Sequence, residues 1–283
     1  MATEILITGA SGFAGRHIVT DLRAHGYTVH TWSHREGNIA ERPGQGVGHV
    51  IHLAAKTFVP DSWQNPGAFY EANVTSTVNV LEFCRRNQAA LTLVSSYVYG
   101  KPQRLPIGED HPLGAFNPYG QTKLIAEEIA ASYQRFHQVP VTIIRPFNIY
   151  GPGQDPRFLI PMLVGQALDP AQAEFRVADP RPKRDYLYLQ DFADILRATL
   201  LQPAGGIFNA ASGVSHSIAD IALVLNELTR QNKPVVSTSQ PRPDDVMDLY
   251  ADITHAEKTL GWKPRYLLRQ GLEEIVAAAP SAS

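Results

Sequence analysis

Short apolar runs closed by glycine or polar residues alternate along this chain with stretches whose apolar positions recur every three or four residues. Glu4-Ile5-Leu6-Ile7-Thr8 is such a run, and its lack of polar alternation predicts a strand buried on both faces. Phe13 to Ala24 follows with Phe13, Ile18, Val19 and Leu22 on one side at helical spacing. Tyr27 to Trp32 predicts a second strand. His49 to Leu53, Leu91 to Ser95 and Val141 to Ile144 predict further strands, with helices near 66–88 and 119–137 between them. Regular alternation of this kind predicts an α/β fold, a Rossmann-type doubly wound parallel sheet covered by helices on both faces.

Past Arg145 the regularity fades. Pro146, Pro152, Pro156 and Pro161 interrupt the chain, and Pro170, Pro180 and Pro182 follow. Leu187 to Gln202 reads as a helix returning to the first domain, and Ile207-Phe208-Asn209 as another short strand. Residues 213–276 carry two helical patterns and the proline-rich loop Gln240-Pro241-Arg242-Pro243. The expected organisation is a dinucleotide-binding domain of residues 1–149 plus about 186–212, with a smaller, irregular C-terminal substrate-binding lobe of residues 150–185 plus about 213–278. That lobe would close over the C-terminal ends of the strands, where such sheets bind ligands. No internal repeat interrupts this plan.

Composition narrows the partners. The chain has 283 residues, 44% of them hydrophobic, which suits one large globular unit or two closely joined domains. Lys and Arg number 25 against 27 Asp and Glu, so no basic excess points to nucleic acid or an anionic membrane, and a small-molecule partner is expected. The single cysteine, Cys84, excludes an internal disulfide and, set in a helical pattern, reads as an inert thiol. Metal-binding Cys/His spacing is absent from the sequence. Met1 to Ile7 runs straight into a strand pattern, leaving no room for a signal peptide, and no apolar run reaches membrane-spanning length; a cytoplasmic protein is expected.

Two features carry chemistry. Thr8-Gly9-Ala10-Ser11-Gly12-Phe13-Ala14-Gly15 lies between the first strand and the first helix. Glycines there allow a tight turn, close approach of backbone to a pyrophosphate, and packing of helix on strand. The helix N-terminus adds unpaired amides and positive partial charge for phosphates. The second feature is Tyr119 and Lys123, one helical turn apart in Asn117-Pro118-Tyr119-Gly120-Gln121-Thr122-Lys123, so both side chains share a face. A phenol beside an ammonium is an acid/base pair, and the positive charge is expected to pull the tyrosine pKa down toward neutrality.

The glycine spacing differs from Gly-x-Gly-x-x-Gly and resembles the Thr-Gly-x-x-Gly-x-x-Gly of the extended short-chain dehydrogenase/reductase family (the NAD-dependent epimerase/dehydratases). The resemblance continues in order through Val50-Ile51-His52-Leu53-Ala54-Ala55, Leu93-Val94-Ser95-Ser96-Tyr97-Val98-Tyr99-Gly100, the Tyr119 to Lys123 helix and Arg145-Pro146-Phe147-Asn148-Ile149-Tyr150-Gly151-Pro152-Gly153. It ends with Lys183-Arg184-Asp185 to Asp191 and Leu260-Gly261-Trp262-Lys263-Pro264. It implies Ser95, four residues before Tyr99, as the hydrogen-bonding partner of the reacting sugar oxygen and of Tyr119, with Ser96 as runner-up. It implies Tyr119 as the proton donor or acceptor, and Lys123 on the nicotinamide ribose. A dinucleotide would lie along Gly9, Ser11, Gly12, Phe13, Ala14, Gly15 and Arg16, then Leu53, Ala54, Ala55 and Lys56, with Asn73 and Pro146 also in contact. Ser96, Tyr97, Asn148, Arg184 and Arg242 would hold a nucleotide sugar, arginine suiting phosphate through its planar fork. A homodimer through the helices near 66–88 and 119–137 is also implied.

Local residues then separate the reactions of that family. A 4,6-dehydratase of the family carries an Asp-Glu pair directly after the Ser/Thr; Ser96 and Tyr97 stand there instead. The end of the second strand, where a carboxylate would hold the ribose hydroxyls of NAD, carries Ser33, His34 and Arg35. These can accept a 2′-phosphate, with Arg16 assisting. NADP(H) is therefore expected ahead of NAD(H). The segment His52 to Pro60 with the His-Arg pair most resembles the GDP-4-keto-6-deoxymannose reductase branch. The expectation is an NAD(P)H-dependent oxidoreductase, reducing a GDP- or dTDP-linked 4-keto-6-deoxy sugar. The alternatives are a nucleotide-sugar epimerase with tightly bound NAD, and behind it a dehydratase or a non-catalytic nucleotide-binding protein. Only 14 residues, Glu36 to His49, separate the second strand from the next, which predicts a shortened connection with Asn38-Ile39 at the adenine.

Overall fold

The computed structural model of the chain describes residues 4–44, 46–201, 205–239 and 246–279. Its centre is the first apolar run, Glu4–Thr8 (β1), and the reason is visible in the alternation of its side chains. Ile5 and Ile7 enter one core layer and Leu6 enters the opposite one, all fully buried. A strand with apolar residues on both faces has to lie inside a sheet covered twice.

Around β1 the chain builds Phe13–Ala24 (α1), Val29–Trp32 (β2), Val47–His52 (β3), Val59–Gln64 (α2), Pro66–Tyr70 (α3), Ser76–Asn87 (α4), Ala90–Val94 (β4), Pro118–His137 (α5) and Val141–Pro146 (β5). It then crosses into a second lobe with Asn148–Tyr150 (β6), Leu159–Leu168 (α6), Phe175–Val177 (β7) and Lys183–Tyr188 (β8). Leu189–Leu201 (α7) and Gly206–Ala210 (β9) return to the first domain. Ser215–Ser217 (β10), Ile218–Thr229 (α8), Val235–Ser237 (β11), Thr254–Leu260 (α9) and Leu268–Ala278 (α10) complete the chain.

The main sheet is parallel throughout, in the order β2-β1-β3-β4-β5-β9. The chain runs from β1 to β2 on one side and then crosses to β3 on the other. The strand order thus reverses beside β1, and a crevice opens there at the C-terminal ends of the strands. One face is covered by α1 and α7, whose Ile18, Leu22, Phe192 and Leu196 meet Ile5 and Ile7. The other is covered by α4 and α5, with Leu81, Phe83, Ala126 and Ala130 around Leu6.

The second lobe holds the three-stranded sheet β10-β8-β6 and the pair β11-β7. Its core gathers Leu163 and Val164 of α6, Ile221 and Leu225 of α8, and Leu272 and Ile275 of α10. By contrast α9 does not pack there. Its Ala256 and Leu260, with Trp262, join Phe208 and Leu196 against the main sheet, although chain order groups them with the second lobe. Trp262 is fixed by donating its Nε1–H to the Asp191 carbonyl at 3.0 Å, and the Asp191 carboxylate accepts the Arg265 and Tyr266 amides.

The connection from β2 to β3 is short, as its length predicts. It contains two 3-10 turns, His34–Glu36 and Ile39–Glu41, and β2 forms the edge of the sheet. Ile39 is buried against the α4 layer, so it serves the core and not an adenine; Asn38 spends its side chain capping the Ala40 amide at 3.0 Å. The helical pattern over 66–88 is also interrupted, because a π-helical turn at Glu71–Thr75 separates α3 from α4. Among the described residues no helix is long and apolar enough to cross a membrane.

Candidate active site

A cleft of about 970 Å³ opens where β1, β3, β4 and β5 end, and residues from both lobes line it. The turn after β1 forms one wall. Gly9 has φ +77°, and a Cβ on it would lie 2.6 Å from the Ala54 amide nitrogen. A Cβ on Gly15 would lie 2.1 Å from the Gly9 carbonyl oxygen. Both positions therefore require glycine: one for the turn and for the approach of the strand after β3, the other for seating α1 on the loop. Gly12 caps α1 without a side chain, so the first amides of the helix, at Phe13 and Ala14, are left toward the cleft. Uncapped amides beside glycines fit the pyrophosphate of a dinucleotide. Ser11 and Arg16, also expected on the cofactor, are not part of the cleft lining; the Arg16 guanidinium donates to the Ser11 carbonyl at 2.8 Å.

The opposite wall is set by the start of α5 and the end of β4. Asn117 caps α5 by accepting the Gly120 amide at 2.8 Å, and Pro118 occupies its first turn, which places Tyr119 and Lys123 facing the cleft. Burial pushes the Tyr119 phenol up to about 12, opposed by a hydrogen bond with the Ser96 hydroxyl. The expected pull toward neutrality by Lys123 is thus corrected: desolvation dominates, and the group that opposes it is Ser96 and not Lys123. Lys123 aims its ammonium at the Val94 carbonyl, 2.8 Å away, and burial lowers its pKa to about 8. Ser95 lines the same cleft at 3% exposure, and its Oγ has no hydrogen-bond partner among protein groups. The contact to Tyr119 expected of Ser95 is made by its neighbour Ser96.

Two buried residues tie these walls together. Asn73, expected on the cofactor, lies outside the cleft lining. Its Oδ1 accepts the Lys56 amide at 2.8 Å, and its Nδ2 donates to the Lys56 carbonyl at 3.1 Å and to Thr122 Oγ1 at 2.9 Å. Thr122 in turn donates to the Tyr119 carbonyl at 2.7 Å. Asn73 therefore clamps the Lys56 loop to the first turn of α5. His52, fully buried, has Nδ1 2.6 Å from Thr8 Oγ1 and Nε2 3.4 Å from Ser76 Oγ, and burial drives its pKa down to about 3. Leu53, Ala55 and Lys56 line the cleft, and Ala54 backs the Gly9 turn.

The tip of β2 differs from its reading in sequence. Ser33 is followed by exposed His34 and Arg35, but the Glu36 carboxylate folds back to accept both the Ser33 amide at 2.9 Å and its hydroxyl at 3.1 Å. A carboxylate therefore does stand at this strand end, supplied three residues later by a one-turn helix. The Ser33-x-x-Glu36 capping box was the available signal for it.

On the substrate side, Pro146, Asn148, Tyr97 and Arg184 line the cleft. The Asn148 Nδ2 donates to the Asp185 carbonyl at 2.8 Å, and its Oδ1 accepts the Tyr97 hydroxyl at 3.4 Å. Tyr97 stacks on Phe147 with centroids 5.0 Å apart. Arg184 donates to the Val246 carbonyl at 2.7 Å. Arg242, expected on the nucleotide, lies outside the described residues. Sequence reasoning missed the cleft mouth. There Phe58 meets Phe158 edge-on at 5.5 Å, and Arg157, stacked on Phe58, reaches Asp155 at 2.9 Å and Asp61 at 3.4 Å.

The comparisons with known proteins agree with this geometry. The family described as NAD dependent epimerase/dehydratase matches residues 5–211. A putative UDP-glucose 4-epimerase of Methanocaldococcus jannaschii is 30% identical, over 96% of this chain and 97% of its own. The UDP-glucose 4-epimerase of Thermotoga maritima, solved with UDP-glucose, superposes with a TM-score of 0.87 at 27% identity, covering 97% of this chain and 98% of its own. RMD from Pseudomonas aeruginosa, complexed with NADPH, superposes with a TM-score of 0.89 at 26% identity over 98% and 97%. The similarity does not single out the GDP-4-keto-6-deoxymannose reductase branch, since the sequence relatives carry UDP-glucose 4-epimerase names. The chain belongs to the NAD-dependent epimerase/dehydratase family.

Proposed function

We propose that this protein is a nucleotide-sugar 4-epimerase that keeps NAD bound through its cycle and acts on a UDP-hexose. The observation that carries the choice is Glu36. Its carboxylate, held on Ser33 at the tip of β2, would bond the ribose hydroxyls of NAD and repel a 2′-phosphate. This reverses the preference for NADP(H) expected from Ser33, His34 and Arg35 alone. A retained NAD suits internal redox, where nothing is consumed overall. The UDP-linked substrate follows the relatives and replaces the GDP or dTDP linkage expected earlier.

A nicotinamide held in this cleft would supply the acceptor and donor of a hydride. The Gly9 turn and the first amides of α1 would hold its pyrophosphate, with Leu53 to Lys56 beneath it. Tyr119 takes the proton from the sugar hydroxyl as its carbon is oxidised and gives it back on reduction. Ser96 holds the phenol, and the unpartnered Ser95 hydroxyl is free to bond the sugar oxygen. Lys123, charged below about pH 8, favours the phenolate when the proton leaves. Inversion at one carbon requires the keto sugar to present its other face before reduction. Asn148 and Arg184, both in the cleft lining, would face the nucleotide diphosphate. Dimerisation through the outer faces of α4 and α5 is part of the same proposal.

The test is incubation of the purified protein with UDP-glucose and no added nucleotide. UDP-galactose should accumulate to equilibrium. Absence of interconversion for any UDP-hexose, with NADPH oxidation on a nucleotide 4-keto sugar instead, would establish the second reading, a reductase. That reading draws on the exposed His34 and Arg35 beside Glu36 and on the likeness to the NADPH complex of RMD.

A further inference from the structure

Tyr119, Lys123 and Glu127 follow one another at four-residue steps on α5, so they stand in a row on the helix face turned to the sheet. Tyr119 and Lys123 line the cleft, whereas Glu127 lies one turn farther in and lines no part of it. Lys123 and Glu127 are each only 6% exposed. The Glu127 carboxylate is gripped by Arg145 of β5, whose Nε and Nη2 donate at 3.1 and 2.6 Å. Arg145 is itself 2% exposed and packs over the Tyr99 ring, 5.0 Å from its centroid, with Nη1 donating to the Glu109 carbonyl.

A buried ion pair is poor as a device for stability, because desolvation offsets most of its Coulomb gain. Its position suggests another use. Lys123 is a buried ammonium whose hydrogen bond goes to a neutral carbonyl, Val94. The titratable groups around it are Tyr119 and Glu127 on its own helix and His52 from β3, with Arg145 of β5 standing on Glu127. His52 is held neutral by burial, Arg145 is a second cation, and Glu127 is the carboxylate that acts on Lys123.

We propose that Glu127, fixed in place by Arg145, is a positioning residue that keeps the Lys123 side chain an ammonium at the edge of the cleft. Burial opposes the charged form of Lys123, and Glu127 is the group that offsets it. Arg145 divides the attention of that carboxylate, so it sets how much negative charge Lys123 feels. The two residues should then act on Lys123 with opposite signs. The inference rests on reading Tyr119 and Lys123 as the proton-handling pair, but it can be tested apart from turnover.

The experiment is NMR titration of the full chain labelled with ¹³C at lysine Cε, the Lys123 signal being the one lost in Lys123→Met. Glu127→Gln should lower the Lys123 midpoint by about one pH unit or more, and Arg145→Gln should raise it. Circular dichroism checks folding of each, and either variant alone decides the direction should the other fail to fold. Midpoints unchanged in the folded variants, or shifted the same way in both, would overturn the inference. The alkaline limb of kcat/KM is recorded on the same proteins. A limb that tracks the NMR midpoint supports both readings. A midpoint that moves while the limb stays leaves the inference standing and removes Lys123 from the proposed chemistry.

Discussion

At the scale of single residues, the site is governed by burial more than by neighbouring charge. Tyr119 sits in surroundings that raise its phenol to about 12, and Lys123 in surroundings that lower its ammonium to about 8. Removing the phenolic hydroxyl should therefore be decisive. Tyr119→Phe is expected to lower kcat by at least about 10²–10⁴, the usual worth of a positioned acid or base, while leaving dinucleotide binding nearly intact. Steady-state kinetics and a fluorescence titration check the two halves. For wild type, kcat/KM should fall as pH rises past about 8, where Lys123 loses its charge. The linkage has the opposite slope: between about 8 and 10.5 the unfolded chain binds more protons at Lys123 than the folded one, so this group's contribution to stability rises with pH there. Glu36→Gln should relax cofactor choice toward NADP(H) by roughly tenfold, equivalent to about 1.4 kcal/mol, in competition binding of the two dinucleotides. An unchanged ratio would remove Glu36 from cofactor selection.

At the scale of elements, what was legible in the sequence is what short-range chemistry dictates. The span of α1 agrees with its apolar spacing from Phe13 to Ala24, and α5, Pro118–His137, agrees to one residue with the helix expected near 119–137. The glycine turn could be read because only glycine tolerates the contacts at Gly9 and Gly15. Gly15→Ala should accordingly force α1 away from the loop and weaken dinucleotide binding, to be measured by calorimetry, with a loss of melting temperature. Long-range partners were not legible. Asn73 looked like a cofactor ligand, and its clamp on Lys56 and Thr122 depends on a π-turn that no local pattern reveals. The short strands β6, β7 and β8 escaped because the prolines from Pro146 to Pro182 break the pattern around them, and β10 and β11 because residues 213–276 read as helices and a loop. Glu36 was legible as a capping box, but reading it needed the turn and the strand end considered together.

At the scale of the whole molecule, the main sheet carries a built-in sensitivity to acid. His49 and His52 on β3 are buried, with pKa values lowered to about 4 and about 3 by desolvation. Both are lowered below the unfolded value of about 6.5, so the unfolded chain takes up protons first and stability falls as pH drops through 6.5. Each imidazole can contribute a slope of up to about 1.4 kcal/mol per pH unit down to its folded pKa. Urea unfolding between pH 7 and 4 should show this loss, and His49→Gln should reduce the slope. The two lobes meet at β5 and β6 and again at Asp185, whose buried carboxylate accepts the Ser212 and Gly213 amides at 2.7 and 2.9 Å. This joint explains why the Lys183 to Asp191 signature matters to the fold as much as to the cleft.

The claim that ties these scales together is that the cleft retains NAD for an internal redox cycle. The most direct measurement is to denature the freshly purified protein and identify the nucleotide released. The account predicts NAD in an amount approaching one per chain, with UDP-hexose interconversion in the protein before denaturation. A chain that releases no NAD, and turns over only when NADPH is supplied, would contradict it.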